Sequence, residues 1–400
     1  MNAFLCTKVP SVLVSSIGLL AARKFVSYPL TPGTSVSVKW CECDSEPEST
    51  NLYDKDFNKW LQLISSQNKS YIPCINGKED CNCFLGQIDK DLQHFQHGIQ
   101  ESQIESAKYR GTKYQIIDHK LYRDSSCMFP SRCSGIEFFL KQTLDHLPDM
   151  EFIVNTRDYP QVSKAFNEKL PVFSFSRTNS DLDIMYPAWS FWAGGPAITL
   201  HPTGIGRWDK HRNSIAKAAK KFPWSEKESI GYFRGSRTSD ERDSIVKLSR
   251  KHSDLVDAQY TKNQAWKSKE DTLGRDPASE VSFEEHCRYK YLFNYRGVAA
   301  SFRFKHLFLC KSLVFHVGNE WQEFFYSDLK PWIHYIPLDS YPSEDDHDEL
   351  AERIALNGYK QIWSNLKLKD ITCYWKNLLE KYSKLIKYDV KKDENLIKIK

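Results

Sequence analysis

The sequence predicts an α/β protein in two halves, each with a parallel sheet flanked by helices. Short apolar runs alternate with amphipathic helical stretches, and helix-start signals follow the carboxyl ends of those runs. The 400 residues also exceed one ordinary core and suit two domains of about 150–200 residues each. No period of 20–50 residues recurs, which excludes a solenoid or propeller.

In the first unit, Ser134 and Glu137 are spaced as a capping box. Ile136, Leu140, Leu144 and Leu147 then form one apolar helical stripe, and Pro148 stops it. Met150 to Val154 reads as a strand, and Asn155 to Pro160 as the loop beyond its carboxyl end. Ligands in open α/β sheets gather there, which singles out Asp158. On the residues alone, an aspartate capping a surface turn is the preferred reading of Asp158.

A second unit opens with a strand at Ile230 to Phe233, turns through Arg234, Gly235, Ser236 and Arg237, and restarts as a helix at Thr238 to Glu241. That helix is expected to run to about Lys251. Strand, glycine turn and helix N-terminus together present backbone N–H groups to phosphates, and Arg242 lies in the first turn. The third unit has a strand at Tyr289 to Tyr295, followed by a small-residue turn at Gly297, Ala299, Ala300 and Ser301 that lets a ligand approach the backbone. Ser312 to His316 and Trp332 to Ile336 supply further strands.

A charged fraction of 27% and a hydrophobic fraction of 40% describe a globular chain. The net charge of +5, from 56 basic and 51 acidic residues, leaves no footprint for nucleic acid. The Lys-rich end, Lys387 to Lys400, reads as a solvated tail. Aromatics reach 14%, enough for sugar-binding walls, although large cores use the same residues.

Eleven cysteines, with Cys81 and Cys83 in no CxxC arrangement, favour disulfides over zinc and hence an oxidising compartment such as the endoplasmic reticulum lumen. Asn68-Lys69-Ser70 is a glycosylation sequon. Val12 to Ala22 is an apolar run sized like a signal-peptide core and too short to span a bilayer. Leu396 to Lys400 is not a retrieval tetrapeptide.

Several stretches together resemble the CAP10-like glycosyltransferase family and, within it, the Rumi-type protein O-glucosyltransferases. They are Cys127 to Gly135, Asn155 to Gln161, Asp183 to Trp189, Tyr232 to Thr238, Tyr260 to Trp266 and Tyr291 to Cys310. The likeness is dense from Ser70 to Leu338 and looser to Tyr388. It implies a GT-B fold of two facing Rossmann-like domains with a central cleft. Residues 1–50 would be a leader and polar segment, 51–203 an acceptor domain, 204–373 a UDP-sugar domain and 389–400 a basic tail. A C-terminal helix, 374–388, would return to the first domain.

The resemblance implies inverting transfer of glucose, in some members xylose, from the UDP-sugar to serine in Cys-x-Ser-x-(Pro/Ala)-Cys of EGF-like repeats, with Notch-type receptors as substrates. Asp158 takes the general-base role. UDP-sugar contacts carry over to His201, Ser236, Arg242, Val298, Ala299, Ala300, Ser301, Phe302 and Arg303. Arg303 is the candidate for the diphosphate, with the adjoining helix N-terminus adding partial positive charge; on the residues alone, Arg242 and Arg303 could instead pair with surface carboxylates. Acceptor contacts carry over to Met128, Phe129, Pro130, Ser131 and Arg132, and to Ala197, Ile198, Thr199, Leu200 and Pro202. The family usually has a tyrosine where this chain has His201, which leaves glucose against xylose open. The implied disulfides are Cys74–Cys83, Cys81–Cys373, Cys127–Cys133 and Cys287–Cys310, with Cys6, Cys41 and Cys43 unassigned.

Asp181-Leu182-Asp183 matches the DxD by which other glycosyltransferases hold a metal, but it precedes a matched stretch, so the reading is no metal and no cofactor beyond the UDP-sugar donor. A monomer without a transmembrane segment is expected. The competing reading is a catalytically silent lectin or chaperone for EGF domains. A paralogue carrying an extra β-sandwich has too little room before the matched region.

Overall fold

In the computed structural model, which describes residues 61–77, 81–166, 168–196, 205–263, 266–338 and 348–400, the apolar runs form three sheets. The apolar run Val12 to Ala22, the cysteines Cys6, Cys41 and Cys43, and the whole of Ala197 to Pro202 with His201 lie outside the described residues. The first half contributes β1 (Thr112–Ile117), β2 (Lys120–Arg123), β3 (Met150–Val154), β4 (Val172–Ser174), β5 (Ser176–Arg177) and β6 (Ile184–Met185). The second contributes β7 (Glu228–Gly235), β8 (Val256–Tyr260), β9 (Tyr289–Asn294), β10 (Leu313–His316), β11 (Gln322–Glu323) and β12 (Ile336–Pro337). A last strand, β13, is Ile397–Lys398.

The second sheet, in order β12-β10-β9-β7-β8, is parallel throughout, as the strand–helix alternation predicts. The first, β13-β2-β1-β3-β4-β6, is mixed, which corrects the expectation of a parallel sheet in each half. Its β3, β4 and β6 are parallel, but β1 lies antiparallel to both β2 and β3. The cause is local. Asp118 and His119 adopt left-handed φ of 47° and 57°, the tight two-residue turn that folds a strand back on itself. Every residue of β3 is buried, as a central strand covered on both faces requires.

Both capping boxes shift. The first helix is Pro130–Leu140, so Ser134 lies inside it. Pro130, with its preset φ, starts the helix within the Cys127–Cys133 loop. Glu137 is therefore free to accept from Arg123 Nε (2.7 Å) and Tyr114 Oη (3.2 Å). The stripe also breaks: Leu144 falls in a separate 3-10 turn, so the helix ends before Pro148. At the second start Ser239, one residue past Thr238, accepts from Glu241 N–H (3.3 Å), and the α-helix Asp243–Lys251 follows a 3-10 turn. Trp332 to Tyr335 is a turn with Trp332 at φ 66°, so the expected strand there shrinks to β12.

All four disulfides form as the resemblance implied. Cys81–Cys373 fastens the helix Leu368–Ser383 to the first half, where Tyr382 meets Phe173 with ring centroids 5.0 Å apart. The chain end is not a free solvated tail. β13 pairs with β2, Leu396 is buried, and Asp393 N–H donates to Gln115 Oε1 at 2.9 Å. Asn68 is buried too, its amide donating to Trp332 O (2.7 Å) and its Oδ1 accepting from Asn357 (3.0 Å), so the nitrogen a glycan would occupy is enclosed. That corrects the sequon reading.

Contacts of several kinds join the halves. Strands β5 and β11 form a two-stranded antiparallel sheet between them. Beside it Phe175 packs on Trp189 (4.8 Å) and on Phe302 of the second half (5.0 Å). Because the Cys81–Cys373 bridge spans 292 residues, its loss releases a long loop in the unfolded chain. Cys81→Ser with Cys373→Ser is expected to cost roughly 2–5 kcal/mol, read as a lower urea midpoint.

Candidate active site

The loop after β3 is held by its own side chains. Asn155, fully buried, donates to Tyr159 O (2.7 Å) and Ser174 Oγ (2.9 Å), while its Oδ1 accepts from Arg157 N–H (2.8 Å). Arg157 reaches back to Arg110 O at 3.0 Å. These contacts explain why Asn and Arg flank the aspartate: they brace the turn and leave Asp158 partly exposed. Arg132 orients it, donating to Asp158 Oδ1 (3.0 Å) and Thr156 O (2.6 Å) from between the rings of Phe129 (4.3 Å) and Trp189 (4.4 Å). Asp158 Oδ2 makes no hydrogen bond among the described residues.

Met128, Phe129, Pro130 and Ser131 are exposed on the same disulfide loop that carries Arg132. Met128 at 57% and Phe129 at 38% exposure present apolar surface beside the aspartate. The structure therefore brings this acceptor set together with Asp158, while Ala197 to Pro202 and His201 fall outside the described residues.

The second half contributes the loops that follow β7 and β9. Arg303 sits over the Phe233 ring (4.8 Å) and against Gly235, and its Nη1 is buried without a hydrogen-bond partner among the described residues. Desolvation pushes it down to about 10, so it stays charged at neutral pH. Arg242 is a clamp. It donates to Ser236 O (2.7 Å), Arg296 O (2.8 Å) and Tyr295 O (3.4 Å), tying the two loops together. Burial, and then the neighbouring Arg303 charge, push Arg242 down to about 9. Neither arginine pairs with a carboxylate among the described residues, unlike Arg234 and Arg237, which are held by Asp257 and Asp243.

Val298, Ala299, Ala300, Ser301 and Phe302 form the turn between β9 and Arg303, and Ala300 N–H reaches Ser176 Oγ of the first half at 3.4 Å. The helix after the turn is a single turn, Phe304–Leu307. Its dipole adds little, so the expected helix contribution is carried by the guanidinium instead. The buried Thr238 Oγ1 also lacks a partner among the described residues.

Asp183 and Asp181 serve turns. Asp183, fully buried, accepts from Gln161 N–H (2.7 Å), Val162 N–H (2.8 Å) and Ser174 Oγ (2.6 Å), and burial raises it to about 6. Asp181 accepts from Thr178 N–H and Oγ1. Among the described residues no group of three His, Cys, Asp or Glu is placed to hold a metal.

Sequence reasoning missed Trp321 and His316. Trp321, in the loop after β10, meets Tyr159 with centroids 6.1 Å apart and closes the distance between the two sides. Nothing near it in sequence marks it. His316 ends β10, and its strand-end position was the one available signal.

The site thus has an oriented carboxylate at the end of β3 and, after β9, a buried cation that meets no carboxylate among the described residues. Residues 76–400 match glycosyl transferase family 90, and the chain belongs to that family. The O-glucosyltransferase rumi homolog of Aedes aegypti is 55% identical over 369 residues, covering 90% of this chain and 91% of that protein. The O-glucosyltransferase rumi of Drosophila melanogaster is 55% identical over 380 residues, covering 91% and 92%. The human protein O-glucosyltransferase 1 is 51% identical over 358 residues, covering 86% and 91%.

A Cβ on Gly235 would collide with Arg303 Nη2. Gly235→Ala is expected to displace that guanidinium and weaken UDP binding about tenfold, the loss of a charged hydrogen bond. Titration calorimetry checks this.

Proposed function

We propose that the chain is an inverting protein O-glucosyltransferase that moves glucose from UDP-glucose to a serine of EGF-like repeats, within Cys-x-Ser-x-(Pro/Ala)-Cys. Asp158 takes the serine proton as Oγ attacks the anomeric carbon. The bond from that carbon to the diphosphate oxygen breaks on the opposite face, and UDP leaves with the electron pair. Arg303 stabilises the charge that develops there, in a site where burial makes the cation more effective than in water. The observation that supports the reading is that the Asp158 loop meets the second half, Tyr159 against Trp321 at 6.1 Å, while the turn leading to Arg303 meets the first, Ala300 N–H reaching Ser176 Oγ at 3.4 Å.

The exposed Met128 to Ser131 edge receives the folded acceptor, and xylose is the second donor to test. The two larger sheets are read as the halves of a GT-B arrangement, working as a monomer. Four disulfides suit the lumen of the endoplasmic reticulum, with Notch-type receptors among the substrates. No helix among the described residues is long and apolar enough to cross a membrane. A silent lectin would not need a buried Arg303 that meets no carboxylate among the described residues, and that favours the enzyme.

Asp158→Asn keeps the side-chain volume but removes the base. Transfer to a folded EGF repeat, followed by mass gain, is expected to fall by about 10²–10⁴-fold while UDP binding persists; near-normal turnover would place the base elsewhere. Metal independence is the second expectation. Transfer should survive EDTA, and a complete loss restored by manganese would show that a cation, not Arg303, neutralises the diphosphate.

A further inference from the structure

The turn that carries Arg303 is held from behind by two buried side chains. The Phe302 carbonyl, in the peptide just before Arg303, accepts from Lys305 Nζ (3.1 Å) and from His306 Nδ1 (2.9 Å). His306 is packed for this role: its ring stacks on Phe283 (4.4 Å) and meets Trp208 edge-on (5.0 Å). Lys305 is the costly one. Its ammonium is buried over the rings of Phe191 (4.6 Å) and Phe302 (5.4 Å), where an apolar side chain would pack without a desolvation penalty.

A buried ammonium needs a counter-charge, and Glu323 supplies it. Glu323 lies on β11 opposite Ser176 of β5, and Ser176 Oγ is the atom that Ala300 N–H reaches from the Arg303 turn (3.4 Å). Ring contacts close the same seam: Phe324 meets Phe191, which lies under Lys305 (6.0 Å), and Tyr326 meets Phe304, next to Lys305 (5.0 Å). Both Glu323 oxygens are buried without a hydrogen-bond partner among the described residues. Burial pushes the Glu323 carboxyl up and the Lys305 ammonium down, and each charge holds the other against that shift. Tyr326 is the other titratable group against Glu323 among the described residues, and its Oη also lacks a partner there.

The pair spans the joint. Lys305 belongs to the turn of the second half, and Glu323 to the strand that pairs with the first. Two apolar residues would fill this space with less cost, but they would leave the Phe302 carbonyl without its ammonium donor.

We propose that Lys305 and Glu323 are positioning residues: Glu323 keeps Lys305 charged, Lys305 holds the Phe302 carbonyl, and the Arg303 guanidinium is thereby set against Gly235 for the donor's diphosphate. This rests on the donor reading of Arg303 and gives neither residue a contact with the donor.

UDP-glucose binding, measured by calorimetry at neutral pH, tests it. Glu323 is an anion near an anion site, so charge repulsion acting directly requires Glu323→Gln to bind UDP-glucose more tightly. Positioning requires the opposite, binding weakened about tenfold, the loss of one charge-assisted hydrogen bond. Lys305→Met leaves Glu323 buried alone and is expected to lower the melting temperature. Lys305→Met with Glu323→Met removes both charges and restores the melting temperature, yet the tenfold loss persists because the carbonyl still lacks its donor. A pair that served stability alone would recover binding as well. UDP-glucose has no group that titrates near neutrality, so the pH profile is a second reading. Wild-type affinity falls as acid protonates Glu323, closer to neutrality than for an ordinary carboxylate, and Glu323→Gln flattens that limb. Tighter or unchanged binding by Glu323→Gln, or full recovery in the double variant, would overturn the proposal. Absence of UDP-glucose binding by the wild-type protein would instead overturn the donor reading, and this inference with it.

Discussion

The site depends on a guanidinium, that of Arg303, buried without a counter-ion among the described residues. A charge removed from water and left unpaired is costly, and it persists only where the surrounding structure holds it in place. Around Arg303 the support is specific. Phe233 supplies a ring face, Gly235 leaves room for the Nη atoms, and Arg242 keeps the neighbouring turns at a fixed separation through three carbonyls. An anionic leaving group would complete this arrangement.

The aspartate side solves the opposite problem. A base needs water access before substrate arrives and a defined direction when it does. Asn155 and Arg157 use their side chains on the backbone, so the turn is rigid while Asp158 remains at the surface. Arg132 then fixes one oxygen, and the other makes no hydrogen bond among the described residues. The β5–β11 pairing and the Phe175–Phe302 contact carry this geometry across to the cationic side. Sugar transfer needs both sides at once, so the joining strands matter as much as the reacting groups.

Much of the second sheet was legible because β7, β9 and β10 carry short apolar runs; β8, Val256–Tyr260, alternates with Asp257 and Gln259 and was not read as a strand. The first sheet was less so. Its hairpin turns on Asp118 and His119, a pair without the glycine that usually marks such a turn. The cap at Ser134 failed because a proline inside a disulfide loop had already begun the helix. Asn68 carries a formal sequon, yet its amide was needed to close contacts with Trp332 and Asn357, residues far away in the chain.

By itself, the sequence determined the alternation of strands and helices in the second half, the loop bearing Asp158, and the family, because these are written in contiguous residues. Tertiary structure alone decided that Arg303 meets no carboxylate among the described residues, that Arg242 clamps backbone and that Trp321 meets Tyr159. Each of these joins segments distant in sequence, and burial and pairing are properties of such juxtapositions. Local pattern places a charged residue near a strand end; only packing decides whether its partner is protein, water or ligand.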